Sequence, residues 1–325
     1  MKIGNSPTVI TTSLDIALQA LRANEIIAIP TETVYGLAGN AYDSAVIEKI
    51  FSLKKRPFYN PLIVHIASVA ALPEVASEIP ALATKLANQF WPGPLTLILK
   101  KQPHIPDLVT AGKTTVAVRV PNHPLTLALL AELPFPLAAP SANPFGSISP
   151  TTALHVANYF DGELGVVLDG GECQKGLEST IVGFEDDQVV LYRLGAISVE
   201  DIEKVVGKMR LHSKNDIDPT APGMLSRHYS PSTKTILTDD VPAFLRLYKD
   251  KKVGLLSFQT VYEAANIESQ ELLSPSGNLE EAAKNLYAAM HRLDERELDV
   301  IVAERFPDIG LGKTINDRLQ RAAEE

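Results

Sequence analysis

Four short runs of aliphatic and β-branched residues, EIIAIPT (25–31), PLIVHIA (61–67), PLTLILKK (94–101) and TTVAVRVP (114–121), are separated by stretches whose apolar residues recur at helical spacing. Short apolar runs bounded by turn formers read as buried strands, and strands alternating with amphipathic helices force a layered α/β arrangement. Thr12 with Asp15 forms a capping-box-like start to a first helix whose stripe is Leu14, Leu18 and Leu21. DSAVIEKIFSLKK, closed by Pro57, is the next helix; ALATKLANQFW, LTLALLAEL and SPTTALHVANYF are others. LGVVLDGG, STIVGF and QVVLYRL then follow as strands with only turns between them, so the sheet must be mixed rather than doubly wound. Ser198 caps a helix running to Lys208.

The alternation dissolves from Arg210 to Thr233, where proline, serine and asparagine are frequent and no periodicity is sustained. We read 1–209 as one domain, 210–233 as a linker, and 234–325 as a small second domain with strands at TKTILT, KVGLLSF and LDVIVAERF. A formal charge of −9 argues against a protein whose main act is gripping a nucleic-acid backbone. The single cysteine, Cys173, excludes an intrachain disulfide and a multi-cysteine zinc site, and suits a reducing compartment. The first residues lack the apolar core of a signal peptide, and no run reaches the ~20 apolar residues of a membrane span, so the expectation is a cytoplasmic protein.

Chemistry-bearing residues crowd at the loops. Lys54, Lys55 and Arg56 end a helix, where cations suit the dipole but can also clamp phosphates. Strand alternation puts His65 on the face opposite Leu62, Val64 and Ile66, and Thr115, Ala117 and Arg119 opposite Val116, Val118 and Val120. A buried arginine needs an anionic partner, which a substrate carboxylate would supply. In PSANPFGSISPTT, Ser149 followed by Pro150 reads as an N-cap and first helical residue, and a helix start beside Ser141 and Asn143 could hold phosphates. GLGKT at 310–314 fails as a phosphate loop because the required earlier glycine is Pro307. The histidines are dispersed and no H-E-x-x-H or C-x-x-C occurs, so no protein-caged metal is expected.

PTETVYGL, the K-x-R of Lys54 and Arg56, the S-x-N of Ser141 and Asn143, and GLESTIV together resemble the YrdC-like threonylcarbamoyl-adenylate synthases. The resemblance covers about 10–207, and HYSP with the GLGKTINDRLQRA tail is similar to the family's long, two-domain branch. It implies a YrdC-like twisted mixed sheet flanked by helices, plus a small C-terminal Rossmann-like α/β domain. It also implies a reaction: L-threonine, bicarbonate or CO₂, and ATP become threonylcarbamoyl-AMP, with pyrophosphate released. The product then passes to a separate tRNA threonylcarbamoyl transferase, with direct tRNA binding weak or absent.

By resemblance, Lys54, Arg56, Ser141 and Asn143 are catalytic. Arg56, Asn60, Thr115, Ser141, Ser149, Arg193 and Tyr229 match ATP contacts. Thr33, His65, Arg119, Ala139 (through its backbone) and Ser179 match threonine contacts. Glu32, Tyr35 and Gly36 match the family loop without an assigned role. Mg²⁺ would arrive on the ATP phosphates, and the linker, with Arg227, His228 and Tyr229, would fold over the nucleotide. Two alternatives stand beside this: an RNA-binding module of the same domain type, and a carbamoyltransferase of hydrogenase maturation. The second normally carries zinc-finger cysteines, which this chain lacks.

Overall fold

The computed structural model describes residues 7–212 and 228–324. Two sheets organise the chain. The larger contains β1 (Val9–Thr11), β2 (Ile27–Ile29), β3 (Gly36–Asn40), β4 (Ile63–His65), β5 (Ala76–Glu78), β6 (Leu95–Lys101), β7 (Thr115–Arg119), β8 (Leu137–Ala138), β9 (Val166–Leu168), β10 (Thr180–Glu185), β11 (Gln188–Arg193) and β12 (Arg210–Leu211). Their order is β1-β9-β2-β3-β8-β4-β7-β6-β10-β11-β12, with β5 on the flank of β6. Parallel pairs such as β4 with β7 and β6 with β10 alternate with antiparallel ones such as β6 with β7 and β10 with β11, so the sheet is mixed as expected.

The smaller sheet is wholly parallel: β13 (Thr235–Thr238), β14 (Val253–Ser257), β15 (Ile267–Leu272) and β16 (Val300–Glu304), in the order β13-β16-β14-β15. Helices Leu279–Asp294 and Leu311–Ala322 pack on it, and their apolar faces join Leu256, Ile301 and Ala303 in one core. That core also takes in Val34, Ile148, Leu177 and Tyr229, so the two units share apolar packing. Among the described residues no helix is long and apolar enough to cross a membrane.

Several local readings are corrected. The first helix, Leu14–Arg22, is capped by Ser13, whose Oγ accepts from Ile16 N; Thr12 takes no part. Gly36–Asn40, to which the sequence reading assigns no element, is a strand, and glycine there has a packing reason: a Cβ on Gly39 would come within 2.5 Å of Val46 on helix Ser44–Lys54. The helix expected from Ser149 begins only at Ala153, with Thr152 as its cap accepting from His155 N. LGVV and STIV are not neighbours; β9 joins β1 and β2 at one side of the sheet while β10 lies toward the other. The polar segment IESQEL forms an edge strand that its composition hides.

Within the expected linker, Arg210 and Leu211 extend the large sheet beside β11, and residues 228–233 lie against both units. The segment between, Arg227 included, falls outside the described residues. Of GLGKT only Gly310 precedes the last helix; Leu311–Thr314 form its first turn, where Lys313 pairs with Glu200 at 2.6 Å and Thr314 Oγ1 donates to Gly195 O at 3.0 Å.

Candidate active site

Strands β4 and β7 run parallel with His65 opposite Arg119, and the ends of both open into one cleft. The alternation holds: Leu62, Val64 and Ile66 enter the main core, leaving His65 to face the cleft. Arg119 is buried, and its anionic partner is already in the chain. Its Nη2 lies 2.7 Å from Glu32 Oε1, Nη1 donates to Thr33 Oγ1 at 3.0 Å, and Nε donates to Gly93 O at 3.2 Å. This corrects the expectation that a substrate carboxylate must neutralise it, and it gives Glu32 a role. Tyr35 braces the loop from behind, and Gly36 is part of the cleft's lining. The Tyr35 hydroxyl donates to Gly171 O at 2.8 Å, and Gly36 lets its strand pass close to Ala139.

Hydroxyls crowd this half of the cleft. Thr33 Oγ1 shares a hydrogen bond with Thr31 Oγ1 at 2.7 Å, and Ser179 Oγ shares one with Thr96 Oγ1 at 2.7 Å. Ala139 lines the same wall, its N–H spent on Ile63 O. Burial, then the charge of Arg119, pushes the His65 imidazole down to about 3. It is neutral at physiological pH, and its buried Nδ1 has no partner.

The other half is cationic. Arg56 Nη2 donates to Asn60 Oδ1 at 2.6 Å and Pro61 O at 2.8 Å, and Nε to Asn60 O at 3.1 Å, which fixes the guanidinium at the cleft wall. Burial and the neighbouring Arg193 push it down to about 9, still protonated at neutral pH. Arg193 donates from Nη2 to Ser179 O at 2.7 Å and to Ser179 Oγ at 3.1 Å, so it braces the hydroxyl half from the cationic side.

Lys54 is turned elsewhere. Its ammonium, fully buried, donates to the carbonyls of Ser141 and Asn143, and it does not line the cleft. Burial, with Arg56 adding to it, lowers its pKa well below the usual ammonium value. Asn143 completes the loop by donating from Nδ2 to Ser147 O at 2.8 Å. Lys54 and Asn143 therefore shape the loop that presents Ser141 to the cleft.

His228 and Tyr229 close one side of the cleft, and Ser230 N donates to Gly146 O at 2.8 Å across the 140–152 loop. The ring of Tyr229 is buried with its hydroxyl unpartnered. Its backbone has φ of 67°, left-handed, which costs energy for a bulky residue and must be held by its surroundings.

The structure thus gathers Thr33, Arg56, His65, Arg119, Ala139, Ser141, Ser179, Arg193 and Tyr229 around one cleft. Asn60 and Ser149 stand behind its wall: Asn60 holds Arg56, and Ser149 Oγ donates to Glu178 Oε1 at 2.7 Å. Thr115 lies at the opposite end of β7 from Arg119, half-exposed and outside the cleft. His228, expected to fold over the nucleotide with Tyr229, is in the lining; the unforeseen participants are Glu178 in the lining, and Arg318 and Tyr287 behind Glu178. Glu178 stands next to Ser179 in GLEST, the one signal that could have found it. Arg318 and Tyr287 come from the far end of the chain; Arg318 lies within the GLGKTINDRLQRA tail, which points to the two-domain branch but gives no residue a place at the site. Among the described residues no group of three histidine, cysteine, aspartate or glutamate side chains could hold a metal ion.

A family model described as "Telomere recombination", covering Sua5, YciO and YrdC proteins, matches residues 19–195, and one described as "Threonylcarbamoyl-AMP synthase, C-terminal domain" matches 197–324. The chain is 40% identical over 322 residues to the threonylcarbamoyl-AMP synthase of Pyrococcus abyssi, covering 95% of this chain and 93% of that one. It is 42% identical over 320 residues to that of Bacillus subtilis, covering 94% and 92%. The crystal structure of P. abyssi Sua5 complexed with L-threonine superposes with a TM-score of 0.91 at 40% identity, covering 97% of this chain and 98% of the other.

Proposed function

The chain belongs to the Sua5/YciO/YrdC family, and from that premise we propose how its cleft acts as a threonylcarbamoyl-AMP synthase. The enzyme condenses L-threonine, bicarbonate or CO₂, and ATP into threonylcarbamoyl-AMP and pyrophosphate, the first step of threonylcarbamoyladenosine formation in tRNA. One observation carries the reading of the site: a hydroxyl-rich half around Arg119 and a cationic half around Arg56 and Arg193 meet in a single cleft.

In the hydroxyl-rich half, Thr33, Ser179 and neutral His65 can exchange hydrogen bonds with the amine and hydroxyl of threonine, and Arg119 attracts its carboxylate. Glu32 already neutralises Arg119, so this attraction is shared, and selectivity falls mainly to the hydroxyl groups. The neutral amine takes up the carboxyl carbon, bicarbonate losing water, to give a carbamate. A carbamate oxygen then bonds to the α-phosphorus as the bond to pyrophosphate breaks.

Charge grows on the departing phosphates, and Arg56 with Arg193 supplies fixed positive charge there. Ser141, held out by the Lys54-braced loop, offers a hydroxyl to the same phosphates. Positioning and charge neutralisation do most of the work, since little proton chemistry remains once the carbamate has formed.

Magnesium enters as part of the ATP substrate. Glu178 in the cleft's lining is engaged by Ser149, Tyr287 and Arg318, and Glu32 behind the lining by Arg119, so the ion would be held by phosphate oxygens and water. We further place the protein in the cytoplasm, handing its product to a tRNA threonylcarbamoyl transferase. The relatives do not favour a nucleic-acid-binding module without turnover.

The test is to incubate the full chain with Mg²⁺, ATP and bicarbonate, with and without threonine. Pyrophosphate should appear only with threonine, together with the adenylate by mass spectrometry. Pyrophosphate release indifferent to threonine would overturn the assignment.

A further inference from the structure

Tyr229 and Glu178 both line the cleft, yet neither is held there by its own unit alone. Arg318, on the last helix, has no exposed side-chain surface. Its Nε donates to Glu178 Oε2 at 3.0 Å, its Nη2 to Leu194 O at 2.6 Å, and its Nη1 to Asp317. The same guanidinium lies 4.8 Å from the centroid of the Tyr229 ring, and that of Arg321 lies 4.9 Å from it. From the preceding helix, Tyr287 donates its hydroxyl to Glu178 Oε2 at 2.9 Å and stacks on Tyr229 at 5.8 Å.

We propose that Arg318, supplied by the C-terminal unit, is a positioning residue for adenylate formation, acting through Glu178 and Tyr229. The proposal rests on the synthase reading above. Two physical effects converge on it. Glu178 is a buried carboxylate in the wall of the cleft that receives a polyanion, and its negative charge is tolerable there because Arg318 compensates it. Tyr229 sits in a left-handed conformation that a tyrosine leaves unless its ring is held, and Arg318 forms one side of the cage that holds it. Docking alone does not require Arg318, because Lys313 with Glu200 and Thr314 with Gly195 O already fasten the helix. Removing Arg318 would leave Glu178 with only the neutral hydroxyls of Ser149 and Tyr287 as hydrogen-bond donors, its charge less well compensated beside the phosphates, and would open one side of the cage around the tyrosine.

The experiment measures threonine-dependent pyrophosphate release and, by calorimetry, binding of a non-hydrolysable ATP analogue, always in the full chain. Arg318→Met should raise KM for ATP and the analogue's Kd by at least about tenfold, with KM for threonine changed much less. Adding Glu178→Gln to Arg318→Met should recover most of the ATP affinity, because the uncompensated charge is gone. Arg318→Lys, which keeps the charge but not the planar fork, should fall between. Lys313→Ala, which loosens only the docking contact, should keep the wild-type KM for ATP.

Wild-type ATP affinity in Arg318→Met, or a double variant no better than Arg318→Met, would reduce Arg318 to structural glue and overturn the proposal. If Arg318→Met does not fold, Arg318→Lys takes its place: wild-type ATP affinity in Arg318→Lys, or no recovery when Glu178→Gln is added to it, would overturn the proposal. Pyrophosphate release indifferent to threonine in the wild type would count against the synthase reading alone, since analogue binding still reports on Arg318.

Discussion

The two sheets end very differently. Where β4 and β7 of the large sheet meet the surrounding loops, buried polar atoms are left without partners: His65 Nδ1 on the cleft and Tyr229 Oη across it. At the carboxyl ends of the small parallel sheet the polar groups satisfy one another. Glu304 accepts from Phe258 N at 2.8 Å and from the Tyr262 hydroxyl at 3.2 Å, Gln270 donates to Ser257 Oγ at 2.8 Å, and Ser274 donates to Glu281. A buried polar group without a partner is costly, so it persists where a ligand completes it, whereas a closed network serves as scaffold. The large unit is therefore built to receive, and the small one to hold.

Substrate selectivity tests the receiving half most severely. A site that hydrogen-bonds the threonine hydroxyl should reject valine by roughly 10⁴-fold in kcat/KM, yet reject serine, which lacks only a methyl, by only about 10- to 200-fold. Equal use of valine and threonine would show that Thr33, His65 and Ser179 do not read the hydroxyl. Next in size is the cationic half: Arg56→Ala should lower kcat by roughly 10² to 10³. Turnover at the wild-type rate in that variant, folded by circular dichroism, would remove Arg56 from the phosphate site.

The buried histidine on the cleft should also show in stability. His65 titrates near 3 when folded and near 6.5 when unfolded, so between those values the unfolded chain binds more protons. Its contribution is fully present above pH 6.5 and is lost as pH falls toward 3, at up to about 1.4 kcal/mol per pH unit. Urea unfolding at pH 7 and pH 5 measures this, and His65→Asn should reduce the dependence by one group's share, the rest coming from other histidines that burial pushes down, such as His155 and His228. An unchanged slope would mean that His65 is hydrated.

The smallest effect is expected in the small unit. Gln270→Ala breaks its bonds to Ser257 and Thr260 and should cost about 1 kcal/mol of stability while pyrophosphate release stays within about threefold. A large loss of turnover there would erase the contrast between the two sheets.

Alternation of apolar and polar residues was enough to place His65 and Arg119 on one face, because the side-chain period along a strand is two whatever the strand pairs with. It could not reveal that Arg119 meets Glu32, since that pairing depends on how a loop before β3 folds across the sheet. The Lys54 and Ser141 motifs were equally visible, but their division of labour was not. Two cations two residues apart look alike in sequence, and only the αL turn at Lys55 sends Lys54 into the loop and Arg56 to the cleft. The helix expected at Ser149 failed for a related reason: the Ser149 hydroxyl is spent on Glu178, and Thr152 caps the helix instead.

Strand and helix order and the mixed character of the large sheet follow from local periodicity, because it depends on neighbours a few positions away, while most of the residues around the cleft are implied by the family resemblance that the short motifs carry. The partners of those residues follow from neither. Glu178 meets Arg318 across 140 positions and Tyr287 across 109. Contacts between positions so distant carry no local pattern. They exist only because two separately folded sheets share a core, and that packing decides which buried charges are neutralised and which face the ligand.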